Sequence, residues 1–188
     1  MFRRNLLIGT LVLLFSFGSL LAQDGQQQNE EKQKAELRAH ADEALGKLFK
    51  EVDGSKQLYD KAAGYAVIRV TKAGFVVSGS GGSGVAVDKA TKQTTYMKMG
   101  AASAGFTFGA AKFDMVFLFQ TKDRLNEFVS GGWDSAAGAK ATAGKDSAGA
   151  ASDFFDGQIV YTLSDKGLMA SADISGTKYW ADENLNKK

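Results

Sequence analysis

Between two alternating apolar runs lies Gly79-Ser80-Gly81-Gly82-Ser83-Gly84, and no other segment narrows the fold so much. Taken literally, the spacing is G-x-G-x-x-G. The dinucleotide mechanism requires a helix to start there, so that its first amides face a pyrophosphate. Here Val85-Ala86-Val87 alternates instead, and Asp88 to Gln93 is a polar turn. No Asp or Glu stands about 20 residues beyond Gly84 to hold a ribose. A glycine-rich strand bend, where two backbones come close, is the reading that fits.

On both sides of this run the apolar period is two. Tyr65 to Val70 and Gly74 to Val77 read as strands around a Thr71-Lys72-Ala73 turn, and Thr94 to Met99 returns from the Asp88 turn. Phe106 to Phe108 and Phe113 to Phe119 continue the series. Gln158 to Leu163, a Ser164-Asp165-Lys166-Gly167 turn and Leu168 to Ile174 form a hairpin. Helical spacing governs Leu37, Ala41, Ala44, Leu45, Leu48, Phe49 and Val52, with Gly54 closing the segment. Leu58 and Tyr59 lead into a short turn or helix, and Thr121 to Ser130 is a second helix. Residues 133–152, dominated by Ala, Gly and Ser, fit a small-residue strand or a loop equally well. The fold class expected is α+β: a single β-rich domain, 35–188, with an antiparallel meander or barrel-like sheet, an N-terminal amphipathic helix and one further helix.

Residues 1–22 read as an export signal. Arg3 and Arg4 precede an apolar run from Leu6 to Phe17, and Ser19-Leu20-Leu21-Ala22 offers a cleavage site. The expected location is extracytoplasmic, periplasmic or secreted, after cleavage near Ala22. Residues 23–34 carry no apolar side chain and read as a disordered polar leader. Without residues 1–22, 21 basic residues face 21 acidic ones, so no global field draws the chain to nucleic acid. Absent cysteine excludes disulfides, thiolate metal sites and a lipidated N-terminal cysteine, and a single histidine excludes a polyhistidine metal site.

Motifs for catalysis are weak. Ala101-Ala102-Ser103-Ala104-Gly105 resembles a nucleophile elbow, but His40 lies upstream of the serine, the reverse of that hydrolase order. Asp114, Asp153 and Asp156 flank aromatics and read as strand-end or turn acids. No enzyme activity, metal or cofactor is expected. Most aromatics belong in a core. Trp133, beside Gly131-Gly132, and Tyr179-Trp180, in a polar tail, instead suit a partner surface or a headgroup region. Lys47, Lys50, Lys56, Lys61, Arg69 and Lys72 are dense enough for an anionic headgroup patch, although a solvated face explains them too.

Several of these residues resemble a known family. Lys61-Ala62-Ala63-Gly64-Tyr65-Ala66-Val67-Ile68 is similar to the K-A-x-G-x-A motif of the SYLF domain. Lys72-Ala73-Gly74-Phe75-Val76-Val77 then leads into the glycine run, and Gly105 to Ala110 and Asp114 to Phe119 resemble its central strands. Asp165-Lys166-Gly167-Leu168-Met169-Ala170 and Ile174-Ser175-Gly176-Thr177 resemble its final hairpin. The resemblance spans residues 37–180 and implies binding of phosphoinositides or other anionic lipids. Family members use a basic surface and an amphipathic N-terminal segment for this, and eukaryotic members couple it to actin regulation.

The expectation is therefore an exported, non-enzymatic module for anionic lipids or membrane surfaces, with Lys61, Arg69 and Lys72 as its patch and Phe75 as apolar neighbour. Actin is an unlikely partner for an exported chain. An envelope protein-interaction or structural module, meeting a protein partner through Trp133 and Tyr179-Trp180, is the alternative. A small outer-membrane barrel is disfavoured by short strands.

Overall fold

The computed structural model describes residues 6–74, 77–104, 109–131, 142–143, 153–168 and 177–187; the side chains at 6–24, 74, 77–78, 102–104, 109–110 and 142–143 lie outside that description. The chain divides into two units, Met1–Glu36 and Leu37–Lys188. Helix α1 runs Leu6–Glu51. Residues 23–34, expected to be disordered, are thus helical. Gln, Glu and Lys are good helix formers, and Glu31–Lys34 (2.8 Å) and Lys32–Glu36 (3.9 Å) add ion pairs at helical spacing.

In the second unit, α2 (Ser55–Lys61) and α3 (Lys122–Val129) accompany strands β1 (Gly64–Gly74), β2 (Val77–Asp88), β3 (Thr94–Ala104), β4 (Gly109–Phe119), β5 (Thr142–Ala143), β6 (Gln158–Ser164), β7 (Gly167–Leu168) and β8 (Lys178–Ala181). The class is α+β, as the sequence implies. The sheet order is β5-β6-β4-β1-β2-β3-β8, with β7 on β6. A meander describes β1 to β3 alone. β4 returns beside β1, giving the 4-1-2-3 order of a Greek key, and the described sheet is an open path rather than a barrel. The expected turn at Thr71-Lys72-Ala73 does not occur: β1 runs through it, paired on both sides.

Burial explains the strand compositions. Toward one face, Tyr65, Val67, Val85, Tyr96, Val116 and Tyr161 pack with Ala41, Ala44, Leu45 and Leu48 of α1. Toward the other, Ala66, Ile68, Val70, Met97, Met115, Phe117 and Phe119 pack with Leu125 and Phe128 of α3. Strands covered on both faces read as continuous apolar runs, as Ala66-Val67-Ile68 and Met115 to Phe119 do. Thr121 caps α3 by accepting from the Arg124 amide (3.3 Å). Lys122 bonds Asp88 at 3.0 Å, holding that carboxyl down at about 2. α2 is fastened by Lys89, whose ammonium donates to the carbonyls of Tyr59 (2.5 Å), Asp60 (3.2 Å) and Ala62 (3.0 Å).

The glycine run lies inside β2, and its spacing has a steric cause. A Cβ at Gly84 would run into the Val67 carbonyl, and one at Gly82 would lie 2.6 Å from the Arg69 oxygen and 2.7 Å from Met99 Cγ. Both face the α3 layer, whereas Gly79 and Gly81 have open space where a Cβ would go. Gly84→Ala is therefore expected to cost about 3 kcal/mol or more by overpacking, and Gly81→Ala less than about 1 kcal/mol. Urea unfolding of the two variants compares them; equal losses would contradict the close β1–β2 approach.

A cationic sheet face as the candidate functional site

α1 crosses the strands rather than following them. Arg38 lies over the Tyr96 ring on β3 (5.9 Å), His40 reaches β1 and β4, and the Lys47 ammonium donates to the Ser164 carbonyl on β6 (2.6 Å). Beneath it runs an apolar row fixed by register: Tyr161, Val116, Val67, Val85, Tyr96. One pleat further along β1 the chemistry changes. The next row on the same face is Leu163, Asp114, Arg69, Ser83, Lys98, Trp180, and the one after is Lys112, Thr71, Gly81, Gly100, Lys178. Arg69, Thr71, Gly81, Lys112, Lys178 and Trp180 are exposed, and Lys98 and Gly100 are half-buried.

Four cations from four strands thus share one shallow floor of small residues. At about 4.8 Å per strand the floor is about 19 Å wide from β4 to β8. Trp180, 44% exposed, lies directly opposite Lys98 and leans over Gly100, where an added Cβ would be 3.2 Å from the indole. A side chain at position 100 would press on the edge of the indole. Two carboxylates sit at the margins. Asp182 pairs with Lys98 at 3.1 Å, and Asp114 accepts from His40 Nε2 at 2.7 Å with Arg69 Nε 3.8 Å away. Among the described residues, no ion pair involves Lys112 or Lys178.

The residues expected from sequence do not form one patch. Arg69 stands on this face. Lys72, three positions on, has the opposite parity and points to the α3 side, across from Ser80 and Ala111. Lys61 ends α2, at the far end of β1 from Lys72. Phe75 and Trp133 lie outside the described residues. Tyr179, expected at the surface with Trp180, is core: it is 3% exposed, its ring meets Phe117 at 5.4 Å and Phe128 at 4.9 Å, and its hydroxyl donates to Met115 Sδ at 3.5 Å. Burial pushes that phenol far up. β8 pairs with β3, so consecutive residues go to opposite faces, and the two aromatics separate. Sequence reading missed Lys98, Lys112 and Lys178. Their signal was parity within strands, readable only once register assigned a face to each.

Fold and face define a small α+β module in which a helix covers part of a sheet and leaves a cationic remainder. Residues 100–188 match the family model described as "Ysc84: Las17-binding protein actin regulator". Beta cell expansion factor A of Aeromonas veronii is 38% identical over 151 residues, covering 80% of this chain and 58% of that protein. LAS seventeen-binding protein 3 of Saccharomyces cerevisiae is 30% identical over 139 residues, covering 68% of this chain and 30% of that protein. Protein YSC84 of the same yeast is 29% identical over a stretch of equal length. The chain belongs to the SYLF family, the Ysc84 group, and spans between about a third and three-fifths of the length of these relatives.

Adjacent aromatics should respond unequally to truncation. Tyr179→Ala is expected to cost about 3–5 kcal/mol, and Trp180→Ala less than about 1 kcal/mol. Denaturant titration of both variants tests this, and similar losses would contradict the assigned β8 parity.

Proposed function

We propose that this chain is a non-enzymatic, exported module that docks on anionic lipid surfaces through the cationic sheet face. The observation carrying this reading is the convergence of Arg69, Lys98, Lys112 and Lys178 beside exposed Trp180. Long basic side chains reach headgroup phosphates while their stems cover apolar surface, and an indole suits the headgroup boundary. Each basic residue near an anionic surface contributes about 1 kcal/mol. Four give about 4 kcal/mol, the millimolar range, and the pairing of Lys98 and Arg69 with carboxylates lowers it further. Attachment is weak, reversible and salt-sensitive, and the phosphoinositide-like headgroups implied by the family suit it because they concentrate charge. Export is supported by the charged and apolar pattern of residues 1–22. LAS seventeen-binding protein 3 is named for a protein partner, so a protein partner for the same face is the alternative reading.

Flotation with neutral phosphatidylcholine vesicles, and with vesicles carrying about a third phosphatidylserine, at about 50 and about 300 mM salt separates the readings. Recovery should require the anionic lipid, fall at the higher salt and drop at least about tenfold in K98Q/K112Q/K178Q. Equal recovery in both lipids, or full binding by the triple variant, would overturn the proposal.

A further inference from the structure

Arg69 is the one cation of this face held by a histidine. Its guanidinium contacts His40 Nδ1, while His40 Nε2 lies 2.7 Å from Asp114 Oδ1. The partners assign the proton. A guanidinium only donates and a carboxylate only accepts, so Nε2 carries the hydrogen and Nδ1 offers its lone pair to Arg69. The imidazole is neutral in this arrangement. A second proton would land on Nδ1, turning an acceptor into a donor and placing a positive ring against a positive guanidinium. Glu43 stands ready for that proton, its Oε2 3.7 Å from Nδ1 on the next turn of α1.

We infer that His40 is a positioning residue for Arg69: protonation of His40 exchanges Arg69 for Glu43 on Nδ1 and frees the guanidinium to reach an anion over the sheet face. The surrounding groups allow the exchange. From α1 come Glu43 and, further along, Lys47, which is held on the Ser164 carbonyl. β4 contributes Asp114 and, one pleat away, Lys112, and β1 contributes Arg69 itself. The flanking Ser83 of β2 and Leu163 of β6 are uncharged. Asp114 and Glu43 bring two carboxylates to the ring, and Arg69 is the cation in direct contact with it. Its side chain is 53% exposed and can swing out without repacking the core, whereas the His40 side chain, at 11%, stays in place. Anion binding is accordingly stronger in mild acid, by one freed guanidinium and one added charge.

The inference rests on the anionic-surface reading above, and its test separates the two. Sedimentation of the full chain with vesicles carrying about a third phosphatidylserine is compared at about pH 8 and about pH 5.5, the span in which imidazoles titrate. Affinity should rise about fivefold or more in acid. His40→Gln, whose amide can donate to Asp114 and accept from Arg69 at every pH, should be flat. Parallel pH dependence in the two proteins would overturn the inference while leaving the docking reading standing; absence of binding at either pH would overturn the docking reading. Without vesicles, NMR titration of the wild-type chain should show the Arg69 side-chain nitrogens following the His40 ring with one midpoint. An Arg69 signal that ignores the His40 titration would also overturn the inference, whatever the lipid result.

Discussion

The close approach of β2 to β1 fixes what the rest of the sheet presents. Gly82 and Gly84 let the backbones meet where any side chain would collide with the Arg69 or Val67 carbonyl. That contact sets register, and in a sheet register decides faces, because a slip of one residue would send every side chain to the opposite side. Arg69 then stands opposite Ser83, Ser83 opposite Lys98, and Lys98 opposite Trp180. The same pairing puts Gly81 and Gly100 next along this face, so the floor stays low between the cations.

Partial coverage does the rest. Ala41, Ala44, Leu45 and Leu48 of α1 pack on the apolar rows, and His40 meets the charged row at Asp114 and Arg69. On the covered side, burial of Tyr161 pushes its phenol up to about 12. On the open side, side chains keep contact with water. One sheet face therefore combines an anchoring half and a presenting half. A chain with balanced charge beyond residue 22 acquires a local positive field without any global one, and such a field acts only within about a Debye length, about 10 Å.

Much of the fold was legible. Apolar runs marked the doubly covered strands, helical spacing marked α1 from Leu37 and α3, and the glycine run marked a close backbone approach. The site was less so, for a physical reason. Lys61, Arg69 and Lys72 are near in sequence, but a strand sends residues 69 and 72 to opposite faces, and a whole strand length separates residue 61 from residue 72. Lys98, Lys112 and Lys178 are scattered over 80 positions and meet only through pairing. Tyr179 and Trp180 illustrate the same rule at its shortest range. The break expected at Thr71-Lys72-Ala73 failed because pairing on both sides outweighs the weak turn preference of those residues.

The absence of cysteine allows a direct test of which face meets an anionic surface. Thr71 lies on the cationic face and Ser80 on the other, and either can be replaced by cysteine and labelled with an environment-sensitive fluorophore. On addition of phosphatidylserine vesicles, the label at Thr71→Cys should shift to the blue and become protected from an aqueous quencher, while the label at Ser80→Cys should not change. Protection at Ser80→Cys with none at Thr71→Cys, or no change at either site under conditions where the chain sediments with vesicles, would contradict the account.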